Sequence, residues 1–461
     1  MVHKENQKSK LKRVYTCSVC NSSYEAKRHS TSRYCSDKCR KAASRTRTSK
    51  RRIESLPLSD EWLWVSRECR RAGTVECLQD VDLVSLFALY RARFKCYGWD
   101  AEKKTSKFHL CHIAPVQGKS AVGLLHHLNL FIGSSLPNQV HGNNSYPDRG
   151  LSIKKSVLKR KWMVDEGDNE REILDKVTRY LGPTLVEYAK DYPIRKSQRF
   201  SLARWVYQND ESNTLTLQQL ERMSMSELRK IRARVEEKEL YQMNVSAKRS
   251  VVVALEECER LARQLPEGQH KADLAFMVPV LRVAAAWLSR QDGQEGLACI
   301  LERPYGTFWK PLETRIGADA SAFRDFVGFQ AFQALQGAPV DQAMVLGTLR
   351  KYLVVTSLGP TFERSSESAQ EYFADEYARF RSQVPAIRDA ILSLGIADKV
   401  MVSEYLESVK EALREEEIIE RLGYTKSDGE YDYPDDYYQV EDDYVPNSNL
   451  KVFQEEVFVP F

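Results

Sequence analysis

Four cysteines near the start of the chain fall in two close pairs: Cys17 and Cys20 with two residues between them, Cys35 and Cys39 with three, and fourteen residues separating the pairs. Such spacing can wrap four soft thiolates around one tetrahedral Zn²⁺, because each short pair turns back on itself at a knuckle or a helix start. The stretch they bracket is too polar to build a core, so a structural Zn²⁺ is expected to stand in for one. Ten cysteines in an exported chain would suggest a disulfide framework. Here the N-terminus is lysine-rich without an apolar h-region, and a cytoplasmic location is expected.

Charge is as unevenly placed as the thiols. The net +5 conceals residues 1–53, with sixteen Lys/Arg against three Asp/Glu, and residues 424–461, with ten Asp/Glu against two Lys. Arg40, Lys41, Arg45, Arg47, Lys50, Arg51 and Arg52 read as a basic helix or a solvated tether. Together with Lys154, Lys155, Lys159, Arg160 and Lys161 they are the candidate contacts to DNA phosphates. The acidic tail is poor in apolar residues and is expected to be disordered. Its partner would be another protein or, in cis, the chain's own basic surface. Its tip, Glu455-Glu456-Val457-Phe458-Val459-Pro460-Phe461, resembles the acidic tail tip of bacterial single-stranded-DNA-binding proteins, which recruits partners. No apolar run approaches the roughly 20 residues of a bilayer span, so no membrane partner is expected.

The expected fold class is α+β: a small zinc finger, a ββα core, a mostly all-α C-terminal region and the acidic tail. The segments run 1–53 (zinc module, with a flexible lead to residue 16), 54–150 (ββα domain), 151–244 (basic helical region), 245–423 (all-helical domain) and 424–461 (tail). Leu83, Leu86, Phe87 and Tyr90 recur at helical spacing and predict a helix over 80–93. Thr216 with Gln219, and Ser224 with Glu227, are capping boxes that predict short helices over 217–222 and 225–235. Their pairing resembles small helix-extension-helix DNA-binding modules.

Residues 108–143 carry the candidate chemistry. Phe108-His109-Leu110-Cys111-His112-Ile113-Ala114-Pro115 precedes a loop with Gly118 and Gly123; Asn129-Leu130-Phe131-Ile132 follows, and Asn138 stands nine residues after Asn129, with His141 one helical turn on. This order of residues resembles the signature of HNH (ββα-metal) endonucleases of phages and mobile elements, and the segment around Cys35 and Cys39 resembles the second knuckle and helix of treble-clef fingers. The first resemblance implies His112 as general base, Asn129 as the residue orienting it, and Asn138 as the leading ligand of a catalytic Mg²⁺ or Mn²⁺. His141 is a candidate second ligand. The pattern usually has Asp or His where this chain has Cys111, a soft donor that suits Mg²⁺ poorly. His141 would then take over, or His109 if its strand twists or bulges, or the metal would be softer, or the site degenerate. His126 and His127 read as surface or substrate-facing residues with no assigned role.

The expected function is therefore metal-dependent hydrolysis of DNA phosphodiesters. The alternative is a non-catalytic DNA-binding or replication-associated protein that keeps the same fold as a scaffold.

Overall fold

The computed structural model describes residues 12–27, 31–95, 99–100, 105–212, 214–239, 250–291, 311–359 and 374–421. The acidic tail lies outside them, as do residues 1–11 of the lead. Among the described residues are fifteen α-helices and five two-stranded antiparallel sheets, in two compact units: Met1–Val278 with Phe326–Val340, and Pro279–Asp325 with Asp341–Phe461. No described helix is long and apolar enough to cross a membrane.

The flexible lead ends sooner than the sequence implies. Strand β1 (Lys12–Thr16) pairs antiparallel with β2 (Ser23–Lys27), and the Tyr15 and Tyr24 rings meet across the ladder at 5.9 Å. Cross-strand aromatic pairs of this kind stabilise a hairpin. Helix α1 (Asp37–Glu54) settles the alternative of helix or tether: the basic run is helical, capped by Ser36, whose Oγ accepts the Cys39 N–H at 3.3 Å. At its far end Ile53 packs against the main core, and the Arg52 guanidinium donates to the carbonyls of Ala189 (2.7 Å) and Lys190 (2.9 Å).

That core joins α2 (Asp60–Ala72), α3 (Leu83–Lys95), α5 (Glu170–Leu181) and α6 (Pro183–Asp191) to the strands of the ββα element. Trp62, Phe87 and Tyr188 meet at its centre, with ring centroids 5.0 Å and 5.6 Å apart along that chain of contacts. Burying each such side chain contributes roughly 2–3 kcal/mol. Helix α3 starts later than the periodicity suggests because Asp82 caps it, its Oδ1 accepting from Val84 N at 2.9 Å.

Between α3 and α5 lie β3 (Trp99–Asp100) with β4 (Thr105–Ser106), β5 (Phe108–His112) with β7 (Leu130–Ser134), and helix α4 (Ser135–His141). Strand β6 (Ala121–Gly123) leaves this hairpin to pair with β8 (Ser152–Lys154). The expectation of helix from residue 153 is thus corrected: the charge run 154–161 forms a strand end and two 3-10 turns, and helix begins only at Glu170, where Asn169 and Glu172 close a capping box. Charge carries no periodicity, whereas the box does.

Helices α7 (Gln198–Asn209), α8 (Leu217–Leu220) and α9 (Met225–Val235) enclose a small core of Ala203, Val206, Leu220 and Leu228, and both predicted capping boxes are formed. Helices α10 (Ser250–Gln264) and α11 (Gln269–Gln291) follow. The region 245–423 is not all helical. Beside α12 (Ala320–Gln336), α13 (Gln342–Tyr352), α14 (Ala374–Ser393) and α15 (Lys399–Arg421) it holds β9 (Leu312–Thr314) paired with β10 (Leu353–Val355), the latter a β-branched run too short to show alternation.

Candidate functional site

The β1–β2 turn carries Cys17 and Cys20, and the start of α1 brings Cys35 and Cys39 to them. Asn21, at φ +57°, lets the chain reverse after the first pair, and Asn21 N–H donates to Cys17 O at 3.0 Å. All four sulfurs lie within 4.8 Å of one another, with Cys35 Sγ 3.5 Å from both Cys20 Sγ and Cys39 Sγ. A Zn–S bond of about 2.3 Å gives a tetrahedral S···S edge of about 3.8 Å, so the four thiols fit a metal ion such as zinc. Electrostatics point the same way. The backbone at Cys20 pulls the Cys17 thiol down to about 6, while the thiols of Cys20 and Cys39 push Cys35 up to about 12. Thiols this close cannot all ionise until a cation sits among them.

In the ββα element, β5 and β7 pair in unbroken register from Phe108↔Ser134 to His112↔Leu130. Strand alternation therefore places His109 and Cys111 on one face of β5 and His112 on the other, and no bulge alters this. Asn129 is wholly buried and satisfied by backbone alone. Its Oδ1 accepts from Ala114 N (2.9 Å) and Leu151 N (3.0 Å), and its Nδ2 donates to Ala114 O (3.1 Å) and Leu124 O (2.8 Å). Its own carbonyl accepts the Ile113 N–H at 2.9 Å. Asn129 thus holds the loop leaving β5 and bears on His112 through the backbone.

His112 ends β5 with its Nε2 buried and without a hydrogen-bond partner among the described residues. Burial, and then the neighbouring Arg71 charge, push the imidazole down to about 3. It is neutral at physiological pH. On the other face, His109 Nδ1 lies 3.4 Å from Asn138 Nδ2, so these two candidate ligands are brought together. His141 turns away: its Nε2 lies 3.0 Å from Asn144 O, and its ring packs near Tyr146 and Phe332. Cys111 is buried, its thiol pushed up by that burial. Among the described residues the only cluster of three or more His, Cys, Asp or Glu donors is the thiol group of the N-terminal module.

His126 is not the surface residue expected; it is buried, its ring stacked on His127 at 4.4 Å, and its Nδ1 accepts the Leu128 N–H at 3.1 Å. The basic candidates divide. Arg40, Lys41, Arg45, Arg47, Lys50 and Arg51 are exposed along α1, whereas Arg52 is spent on the carbonyls at the end of α6. Lys154, Lys155, Lys159, Arg160 and Lys161 are all exposed on the strip 154–161.

Sequence reasoning missed three residues around the element. Glu257 and Arg260 on α10 hold β7: Ile132 N–H donates to Glu257 Oε2 (3.0 Å), and Arg260 donates to Leu130 O (2.7 Å) and His127 O (3.0 Å). Their separation of three residues on a helix marked them as an ion pair. Nothing local named the strand they serve. The third is Arg71, whose charge, after burial, lowers the His112 imidazole and whose carbonyl accepts from Gln117 Nε2 at 3.3 Å. No protein-family model matches the chain, and neither a curated protein nor a solved structure does.

Proposed function

We propose that the chain is a metal-dependent DNA endonuclease in which β5, β7 and α4 carry the site, while the zinc module and the exposed basic residues hold the nucleic acid. The observation that carries this reading is His112, an imidazole at the end of the first strand of a strand–strand–helix element, neutral at physiological pH and with a ring nitrogen lacking a partner. A neutral ring nitrogen can take the proton of an attacking water. At about 3 it is a weak base in the free protein. A phosphate anion drawn alongside strengthens it by stabilising the imidazolium.

His109 and Asn138 would hold the divalent cation, since Mg²⁺ and Mn²⁺ need few protein donors and complete their shell with water and phosphate oxygens. When bound, the ion would supply charge stabilisation at the phosphate and the departing oxygen. Asn129 keeps the loop after His112 in place through its four backbone bonds. The N-terminal thiols would bind structural zinc, and DNA is the partner of the exposed cations on α1 and the strip 154–161.

A second reading draws on the opposite facing of His109 and His112 and on the burial of Cys111: a non-catalytic DNA-binding protein that keeps the ββα element as scaffold. Plasmid cleavage assayed across Mg²⁺, Mn²⁺, Zn²⁺ and Ni²⁺ separates the two. In the nuclease reading His112→Ala cuts at least about 10²-fold more slowly while binding DNA normally. Asn138→Ala loses metal affinity and partly recovers at high metal concentration, and His141→Ala behaves as the parent. DNA binding without cleavage under every metal selects the second reading. A folded His112→Ala that cuts as fast as the parent removes the nuclease assignment.

A further inference from the structure

The loop leaving His112 is tied to two other parts of the chain. Gln117 Nε2 donates to the carbonyl of Arg71, in the last turn of α2, at 3.3 Å. Three residues on, Ser120 O accepts the Lys155 N–H at 2.9 Å, and Ala121 pairs with Lys154. The basic strip then runs back past α2: Lys159 N–H donates to Glu76 Oε2 at 2.7 Å, and Thr74 Oγ1 donates to Trp162 O at 3.2 Å. The loop leaving His112 is thereby tied to the Arg71 backbone and to Lys154 and Lys155, and the Arg71 charge reaches the His112 ring.

Arg71 differs from the surface lysines. Its side chain is about half exposed, at 53%, and its guanidinium is held by Glu68, with NH1 3.0 Å from Oε1 and 2.7 Å from Oε2. Among the described residues no further partner meets the guanidinium, which leaves donors for a second anion. A planar fork of this kind pairs with two oxygens of one phosphate, which a lysine cannot do.

We propose that Arg71 is the phosphate-binding residue of the His112 site, with Lys154 and Lys155 contacting the flanking phosphates of the same strand. This rests on the nuclease reading for its effect on rate, but not for its effect on binding. Bringing phosphate to Arg71 sets an anion beside His112, which offsets the guanidinium charge that disfavours the imidazolium.

The test uses the full chain with Arg71→Ala and Arg71→Lys, each checked to be folded at the assay temperature, since Glu68 loses its bidentate partner. Affinity for a short DNA duplex is measured across salt concentrations with no divalent metal added and no chelator present, and cleavage in the most active metal. Arg71→Ala should flatten the slope of log affinity against log salt by about one contact and cut cleavage by about 10²-fold. Arg71→Lys should restore the slope but not the rate, a split that a packing role for Arg71 would not produce. If the parent cuts DNA in no metal, the nuclease reading fails, and the salt slope measured without added metal still decides the phosphate contact. A folded Arg71→Ala with the parent's salt slope overturns the proposal, whatever its cleavage rate.

Discussion

Glu257 on α10 accepts the backbone N–H of Ile132 on β7 at 3.0 Å, across 125 residues of sequence. With Arg260 accepting no bond of its own but donating to Leu130 O, two side chains of a helix occupy the edge of β7 where a neighbouring strand would otherwise pair. Arg260→Ala leaves the Glu257 carboxylate, 7% exposed, without its cation. Stability should fall by about 3 kcal/mol, read by urea denaturation. Glu257→Gln, which keeps an acceptor for Ile132, should cost less. Equal stability of Arg260→Ala and parent would show that α10 does not hold the strand.

The thiol cluster predicts one Zn²⁺ per chain by elemental analysis. Cys35→Ser should lower that content and speed hydrogen exchange from β1 through the first turns of α1, while the last turns, held by Arg52 and Ile53, stay protected. Protein purified without zinc, or a variant with the parent's zinc content, would remove the assignment.

Asn129 and Gly150 form one unit. Asn129→Ala strips four backbone groups of their partner and should cost about 3 kcal/mol or more. Gly150 has φ +70°, and a Cβ there would lie 2.3 Å from Asn129 Oδ1 and 2.5 Å from Ala114 N. Gly150→Ala should therefore destabilise the parent, and by less when Asn129 is already Ala, because one of the two clashes is gone. Thermal unfolding of the double-mutant cycle measures the difference; strict additivity would contradict the arrangement.

Stability should fall as pH drops from 7 to 5. His112 is pushed down to about 3 and His127 to about 4, both chiefly by burial, from an ordinary 6.5. The unfolded chain then takes up protons that the folded chain refuses, so the fold keeps its full stability above about 6.5 and loses it progressively toward these lowered values. His112 contributes about 2 kcal/mol of the difference between pH 7 and 5, and the more exposed His127 less. Denaturation of His112→Gln at both pH values should show a smaller loss than the parent; the same loss would mean that His112 titrates normally.

What was legible in the sequence was what depends on near neighbours. Cys17, Cys20, Cys35 and Cys39 could be paired from spacing, because each pair of ligands comes from one turn. The helices after Thr216 and Ser224 could be placed because a capping box is a contact across three residues. The strands at 108–112 and 130–134 and the helix at 135–141 followed from a motif whose parts lie close in the chain, but β6 between them did not. The facing of His109 away from His112 depends on an unbroken register with β7, and the burial of Cys111 and His126 depends on packing that spacing does not encode. Glu257, Arg260 and Arg71 act across distances in sequence at which no local pattern survives.

Helix α1 leaves the thiol module at Cys39 and enters the main core at Ile53 without a break. Its 18 residues span about 27 Å. The module is thus mounted on a rod, and the bearing of its exposed cations is a matter of phase. One residue inserted between Arg45 and Ser49 would swing everything before it by about 100°, while seven would return it nearly to its starting angle, about 10 Å farther out. Residue count in α1 works as a gauge, setting both how far from the body, and on which side, the thiol module and the exposed cations before the insertion point stand.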